Sequence, residues 1–188
     1  MTNTHVYFLS GPLSQWTRSP FRGRLEEGGE IFAFTCAEQY MMAGKAHLFG
    51  DREALVAILR SDEPKEQKDL GHTVRGFEPA QWAEACEDIV IRGNLYKFSQ
   101  NKELAEYFVG TDNRTLVEGN PRDLVWGVGL AWDDPRIEDL KNWRGSNLLG
   151  KSLETVRPII RAHRERGGRI NPWTRTIITK PSLADGRV

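Results

Sequence analysis

The longest helical pattern of the chain runs from Pro79 to about residue 98, and it limits what the other segments can fold into. A proline suits the first turn of a helix, where its missing N–H costs nothing. Four positions recur at spacings of three and four residues and so share one face: Trp82, Cys86, Ile89 or Val90, and Gly93. A helix of this length with an apolar face must pack against a core, which favours a helix-rich domain.

Shorter patterns on both sides of this helix complete a helix-rich reading. We predict helices over about 36–49, 51–60, 64–70, 79–98 and 101–109, and a last one from Asn147 or Leu148 that Pro158 should kink or restart. Short strands are expected at 6–9, 31–34 and 116–117, and the first two can pair with each other. Because strands and helices do not alternate as βαβ units, the predicted fold is a single α+β domain with minor β structure.

Length and composition fit one domain with a real core, since the chain has 188 residues of which 39% are hydrophobic. No stretch approaches the roughly 18 apolar residues of a membrane helix. The first residues lack a basic region followed by an apolar run, so we expect a cytoplasmic protein. Cys36 and Cys86 stand alone and are expected to be small buried hydrophobes, with no metal site.

Charge is balanced overall but collects at the end of the chain. Residues 161–188 carry seven basic and two acidic side chains, a net charge of +5, which leaves −5 on the remainder. We therefore divide the chain into a domain over 1–163 and a basic extension over 164–188. Such an extension can hold phosphates or nucleic acid, and the alternative is a solvated tail.

Glu38 is the first candidate for chemistry. It lies three residues after Thr35, which is the spacing of a capping box, so a purely structural role explains it equally well. Lys45 follows two helical turns later, roughly 10 Å along the axis and on the same stripe. Met41, Met42 and Phe49 share or flank that stripe and border the charged pair with apolar surface.

Two further clusters lie near a loop over 119–146 that is rich in Gly, Pro, Asp and Trp. In the run from Glu118 to Gly129, bare glycines follow Trp126, which suits a pocket where an indole stacks on a flat ring; a turn around a core tryptophan is the alternative. The run from Asn142 to Gly150 ends a loop and opens a helix, whose amides can bind phosphate or merely be capped.

Nine short motifs, which follow one another over about residues 8–161, together give the chain a family resemblance. They are, in order, Leu13-Ser14-Gln15-Trp16 with Ser19-Pro20-Phe21; Glu38-Gln39 and Lys45-Ala46 with Asp51; Lys68-Asp69-Leu70-Gly71; Phe77 with Trp82; Lys97-Phe98-Ser99-Gln100-Asn101; Leu116-Val117-Glu118; Asp123-Leu124-Val125-Trp126-Gly127; Gly145-Ser146-Asn147-Leu148-Leu149-Gly150; and Arg157. Together they resemble the YbiA-like or NADAR family, named for its association with NAD and ADP-ribose. Trp16 departs from the family's usual phenylalanine, and typical members lack the 164–188 extension.

The resemblance implies a compact YbiA-like domain that hydrolyses N-glycosidic bonds at a phosphorylated ribose without a cofactor. Two substrate classes go with it: ADP-ribose on guanine in DNA or RNA, and aminopyrimidine ribose phosphates formed early in riboflavin synthesis. A module that binds ADP-ribose without cleaving it, and a nucleic-acid-binding protein that uses the basic extension, are the other possibilities.

The resemblance also assigns roles to individual residues. It implies catalysis by Glu38, Trp82, Asp123 and Lys45, and substrate binding by Trp126, Ser14, Gly127, Asn147 and Gln39. Two mechanisms stay open. Glu38 and Asp123 can stabilise an oxocarbenium-like state and activate water, with one carboxyl pKa raised by apolar surroundings. Alternatively, Lys45 attacks C1 of the ribose and forms a Schiff base.

Overall fold

The computed structural model describes residues 4–179 and shows a helical domain with three small sheets. The helices are α1 (Ala37–Leu48), α2 (Arg52–Arg60), α3 (Pro64–His72), α4 (Pro79–Gln100), α5 (Lys102–Val109) and α6 (Leu148–Arg166). The strands are β1 (His5–Phe8), β2 (Phe21–Arg24), β3 (Ile31–Phe34), β4 (Thr115–Glu118), β5 (Arg169–Asn171) and β6 (Thr176–Ile178), and two short 3-10 helices cover Pro135–Glu138 and Leu140–Asn142. The α+β class and the predicted helices are confirmed, with ends within about two residues of those expected.

The centre of the domain is α4, which packs between α1 and α6. Its buried face includes Leu95 and Phe98, and the predicted face positions Cys86, Ile89 and Gly93 are buried too. At Gly93 the helices approach so closely that an added Cβ would lie 2.7 Å from the Tyr40 ring of α1. The glycine in the predicted face is therefore a packing position between two helices.

Strand pairing differs from the sequence-based expectation. β3 pairs antiparallel with β2, not with β1, and β1 pairs in parallel with the distant β4. The pairing of 31–34 with 6–9 is therefore wrong. A local hairpin is available to β3 through a turn in which Gly28 has a φ of 76°, and Phe21 stacks on Phe34 across it with centroids 5.4 Å apart.

The parallel β1–β4 pair decides where a site can form. Phe8 and Glu118 are partners in the register and end their strands at the same edge. Parallel strands send their following loops to the same side of a sheet. The segments after Phe8 and after Glu118 therefore emerge side by side.

The described part of the chain after α6 packs against the rest of the domain. The helix α6 runs unbroken through Pro158, so the expected restart there is wrong. Beyond it, Ile170 joins the core, Trp173 meets the Tyr96 ring edge-on at 6.4 Å, and Arg175 pairs with Asp88. The solvated-tail alternative thus fails for the β5–β6 hairpin. Lys180, Asp185 and Arg187 lie outside the described residues, and the division at residue 163 stays a prediction.

Within residues 4–179, none of the helices is long and apolar enough to cross a membrane. The two cysteines lie in the interior as unpaired thiols, as expected.

Asp51 connects α2 to the segment after α3, and its carboxylate makes the free energy of unfolding depend on pH in the acidic range. Its carboxylate accepts the Ala54 N–H at 3.1 Å, the Arg75 N–H at 2.9 Å and two bonds from the Arg75 guanidinium. The bonds from Arg75 and then from Ala54 hold the pKa of Asp51 below its usual range.

We expect Asp51→Asn to be less stable than the wild type at pH 7 and to approach it in acid. A lowered folded-state pKa contributes stability that is present above the unfolded pKa of about 3.9 and is lost as pH falls through the folded value. Urea unfolding midpoints at pH 7 and pH 3 check this. A difference between the two proteins that stays constant with pH would contradict it.

Candidate active site

A cavity of about 1070 Å³ opens where the loops after β1 and β4 meet the start of α1. Six of the nine residues predicted for the site line it: Ser14, Glu38, Lys45, Trp82, Asp123 and Trp126. They come from segments that are distant in sequence, and the parallel β1–β4 pair and the α1–α4 contact bring them together.

Glu38 lies in the first turn of α1 with 6% of its surface exposed, and its backbone N–H donates to Gln15 at 3.0 Å. The capping-box interpretation of Glu38 is wrong. The N-cap of α1 is Cys36, not Thr35, and the Oε1 atom of Gln39 accepts the Thr35 N–H at 2.7 Å. Since Gln39 makes that bond, the carboxylate of Glu38 faces the cavity instead of the helix end.

Burial raises the pKa of Glu38 to about 7. The charge of Lys68 and a hydrogen bond from the Trp16 side chain oppose this rise, and the nearby charge of Asp123 adds to it. A carboxyl with a pKa near 7 can exchange a proton in either direction at neutral pH. The burial of Glu38 gives a physical basis for the expectation that apolar surroundings raise the pKa of one of the two carboxyls.

Lys45 lies two turns further along α1 in the same cavity wall. Its Nζ donates to the Gly71 carbonyl at 2.8 Å and lies 4.3 Å from the centroid of the Phe77 ring and 5.6 Å from that of Trp82. Burial lowers the pKa of Lys45. The ammonium group is thus held by a carbonyl and by aromatic faces, and Trp82 reaches the site through this contact.

Asp123 fixes the loop after β4. Its Oδ1 accepts the backbone N–H groups of Val125 at 2.9 Å and of Trp126 at 2.8 Å. Trp126 is partly buried between the cavity and the core. The carboxylate therefore positions the indole that the sequence suggests for stacking a flat ring, and its charge acts on the carboxyl of Glu38.

The remaining three predicted residues do not line the cavity. The amide of Gln39 donates to the carbonyls of Ile58 and Ser61. Asn147 has a φ of 51° and bridges β4, accepting the Glu118 N–H at 3.0 Å and donating to Leu116 at 2.8 Å. An added Cβ on Gly127 would lie 3.0 Å from the Glu118 carbonyl, so Gly127 allows the loop to close on β4.

Glu118 and Lys68 are among the cavity residues that were missing from the predicted set. Burial, followed by the charges of Asp123 and Glu38, raises the pKa of Glu118 to about 7. The charge of Lys68 acts on both glutamates and opposes these rises. Both residues lie in motifs that the sequence singles out, but only the fold shows that they face the same cavity as Glu38.

Comparison with known proteins adds independent findings. A family model described as the NADAR domain matches residues 6–161. The chain is 42% identical over 144 residues to "N-glycosidase R617" of Acanthamoeba polyphaga mimivirus, covering 77% of this chain and 84% of that protein. It is 27% identical over 139 residues to "Riboflavin biosynthesis protein PYRR, chloroplastic" of Zea mays, covering 70% of this chain and 20% of that protein.

A similar fold is also known. The NMR structure of the E. coli protein YbiA superposes with a TM-score of 0.66 at 22% identity, and the match covers 90% of this chain and 92% of that chain. The overall fold of the chain has thus been observed before.

Proposed function

The chain belongs to the NADAR domain family, and on that premise we propose that its cavity hydrolyses the N-glycosidic bond between a phosphorylated ribose and a base, with ADP-ribosyl guanine in nucleic acid as the substrate. The mimivirus relative, which is 42% identical, is named as an N-glycosidase, and this chain is accordingly a glycosyl hydrolase. The observation that carries the proposal is the placement of Glu38, buried and with a pKa of about 7, in one cavity with Asp123 and three tryptophans.

These residues suit the chemistry of the bond. Cleavage builds positive charge on the ribose ring, and nearby carboxylates stabilise that charge. In its ionised form Glu38 can take a proton from water, while the carboxylate of Asp123 is held in place by the two N–H groups that its Oδ1 accepts. Trp82 and Trp126 present aromatic surface to the cavity and can stack on the base.

The size of the cavity supports the larger substrate. About 1070 Å³ lies just above the roughly 300–1,000 Å³ of ordinary small-molecule sites. Such a volume accommodates ADP-ribose together with a base, whereas an aminopyrimidine ribose phosphate would leave much of it empty. The basic extension adds less than its charge suggests, because Arg164 and Arg175 pair with Glu106 and Asp88.

A side-by-side hydrolysis assay tests the substrate. We expect ADP-ribose to be released from an oligonucleotide that carries ADP-ribosyl guanine, at a higher kcat/KM than base is released from the aminopyrimidine ribose phosphate. The similarity to the maize protein favours the second substrate as the alternative. Faster turnover of the aminopyrimidine would support that alternative, and tight binding of ADP-ribose with no turnover of either would indicate a binding module.

The lysine route has its own test. We expect borohydride added during turnover to trap no adduct on Lys45, because its Nζ is held by the Gly71 carbonyl and lies against the Phe77 ring. Intact mass and peptide mapping check this, with Lys45→Arg as the matched control for background modification. A ribosyl mass on Lys45 in the wild type would contradict the carboxylate route, and one on Lys68 would move the covalent route to α3.

A further inference from the structure

Glu118 is held at the cavity by its backbone. It is the last residue of β4, and its N–H donates to Oδ1 of Asn147 at 3.0 Å. Its carbonyl accepts the Val128 N–H at 3.0 Å. Bonds on both sides of the residue fix the direction in which the side chain leaves the strand.

The carboxyl of Glu118 has no fixed partner for one of its oxygens. Among the described residues, nothing hydrogen-bonds to its Oε2, although that atom is shielded from solvent. A buried polar atom without a partner costs free energy and is uncommon in folded proteins. Since the residue lines the cavity, a bound substrate is the natural partner for this oxygen.

Burial and two nearby carboxylates favour the protonated form of Glu118. Its pKa is raised to about 7 by burial first, then by Asp123 and by Glu38, with Lys68 opposing. The other charged or titratable side chains that line the cavity are Lys45, His72, Cys86 and Arg122. Asp123 differs in its contacts, because its Oδ1 already accepts two backbone N–H groups, whereas Oε2 of Glu118 has no partner among the described residues. Of the partners available to Glu38, Glu118 is therefore the carboxyl suited to carry a proton.

We propose that Glu118 is a catalytic residue that protonates the base as it leaves the ribose; this rests on the proposed N-glycosidase function. The bond between C1 and the base nitrogen breaks, its electron pair stays on that nitrogen, and the Glu118 proton is transferred to it. Water then bonds to C1 and gives its proton to the Glu38 carboxylate. Transfer of that proton from Glu38 to Glu118, directly or through water, restores the starting state.

Single-turnover rates on the ADP-ribosyl guanine oligonucleotide and on the aminopyrimidine ribose phosphate test the proposal, over a range of pH. We expect Glu118→Gln to lose at least roughly 100-fold in rate, with its binding of ADP-ribose changed by less than about threefold. The wild-type rate should fall as pH rises and the acid ionises, and this basic limb should be absent from the residual rate of the variant. Glu118→Asp keeps a carboxyl and should keep the limb at a lower rate.

The matched control is Glu154→Gln. Glu154 also bonds to β4, through the Leu116 N–H at 2.8 Å, but it does not line the cavity, and glutamine retains the accepting oxygen. Its rate should stay within about twofold of the wild type. A Glu118→Gln protein that folds and keeps the wild-type rate, or that keeps the basic limb, would overturn the assignment. A wild-type protein that cleaves neither substrate would overturn the proposed function and this inference with it.

Discussion

Replacing Glu38 with glutamine should lower the hydrolysis rate by at least roughly 100-fold, the scale of a lost general acid or base. Glutamine has nearly the same shape, and the helix start does not depend on the Glu38 carboxylate, because Gln39 binds the Thr35 N–H. The fold should therefore survive. Single-turnover hydrolysis measures the rate, and circular dichroism with a thermal melt measures the fold.

Stability gives this variant a second readout. A carboxyl whose folded-state pKa is raised contributes stability that is complete below the unfolded pKa, near 4.3, and is lost as pH rises through about 7. The free energy of unfolding of Glu38→Gln, relative to the wild type, should thus increase between pH 5 and pH 8. A matched control is Glu66→Gln, since Glu66 bonds to the Ser61 hydroxyl and does not line the cavity. Wild-type turnover by Glu38→Gln would remove Glu38 from the chemistry.

Local signals predicted the helices well. The spacing of apolar residues, the position of prolines and the glycines that end helices depend on neighbouring residues only. Pro79 accordingly marks the start of α4, and the helix face identified from the sequence is buried. Strand pairing was predicted less well, because β1 selects a partner more than a hundred residues away and no local pattern encodes that choice. The strand FRGR of β2 was missed since its alternating arginines resemble a loop.

The candidate site was likewise predicted only in part. The motifs contain the six predicted residues that line the cavity, but spacing alone placed Glu38 in a capping box with Thr35, whereas the N-cap of α1 is Cys36. Gly127 and Asn147 belong to the same motifs and support β4 instead of lining the cavity. Membership of a motif therefore does not distinguish a residue that lines the cavity from one that supports the strand beside it. The burial of the Glu118 carboxyl, which alters its proton affinity, exists only in the folded chain.

Substituting alanine for Gly150 should lower the free energy of unfolding by about 3 kcal/mol, the upper range of the cost of overpacking a core. An added Cβ would lie 2.0 Å from the Leu116 carbonyl and 2.5 Å from Nδ2 of Asn147. Leu116 belongs to the β1–β4 pair, so its backbone can yield only by disturbing that pair. Separation of α6 from β4 would also break the bonds of Asn147 to Leu116 and Glu118, and activity should fall with stability.

The sign of this effect is diagnostic. Glycine to alanine within a helix should by itself stabilise by up to about 1 kcal/mol, because glycine has the poorer helix propensity. A loss at Gly150 therefore reports the contact between helix and strand. Lys151→Ala is the matched control, since Lys151 is exposed on the next position of α6 and should change stability by less than about 0.5 kcal/mol. Urea unfolding of both variants provides the measurement. A Gly150→Ala protein as stable as the wild type would mean that α6 can move off β4 at little cost, and Asn147 would then not be what fixes Glu118 at the cavity.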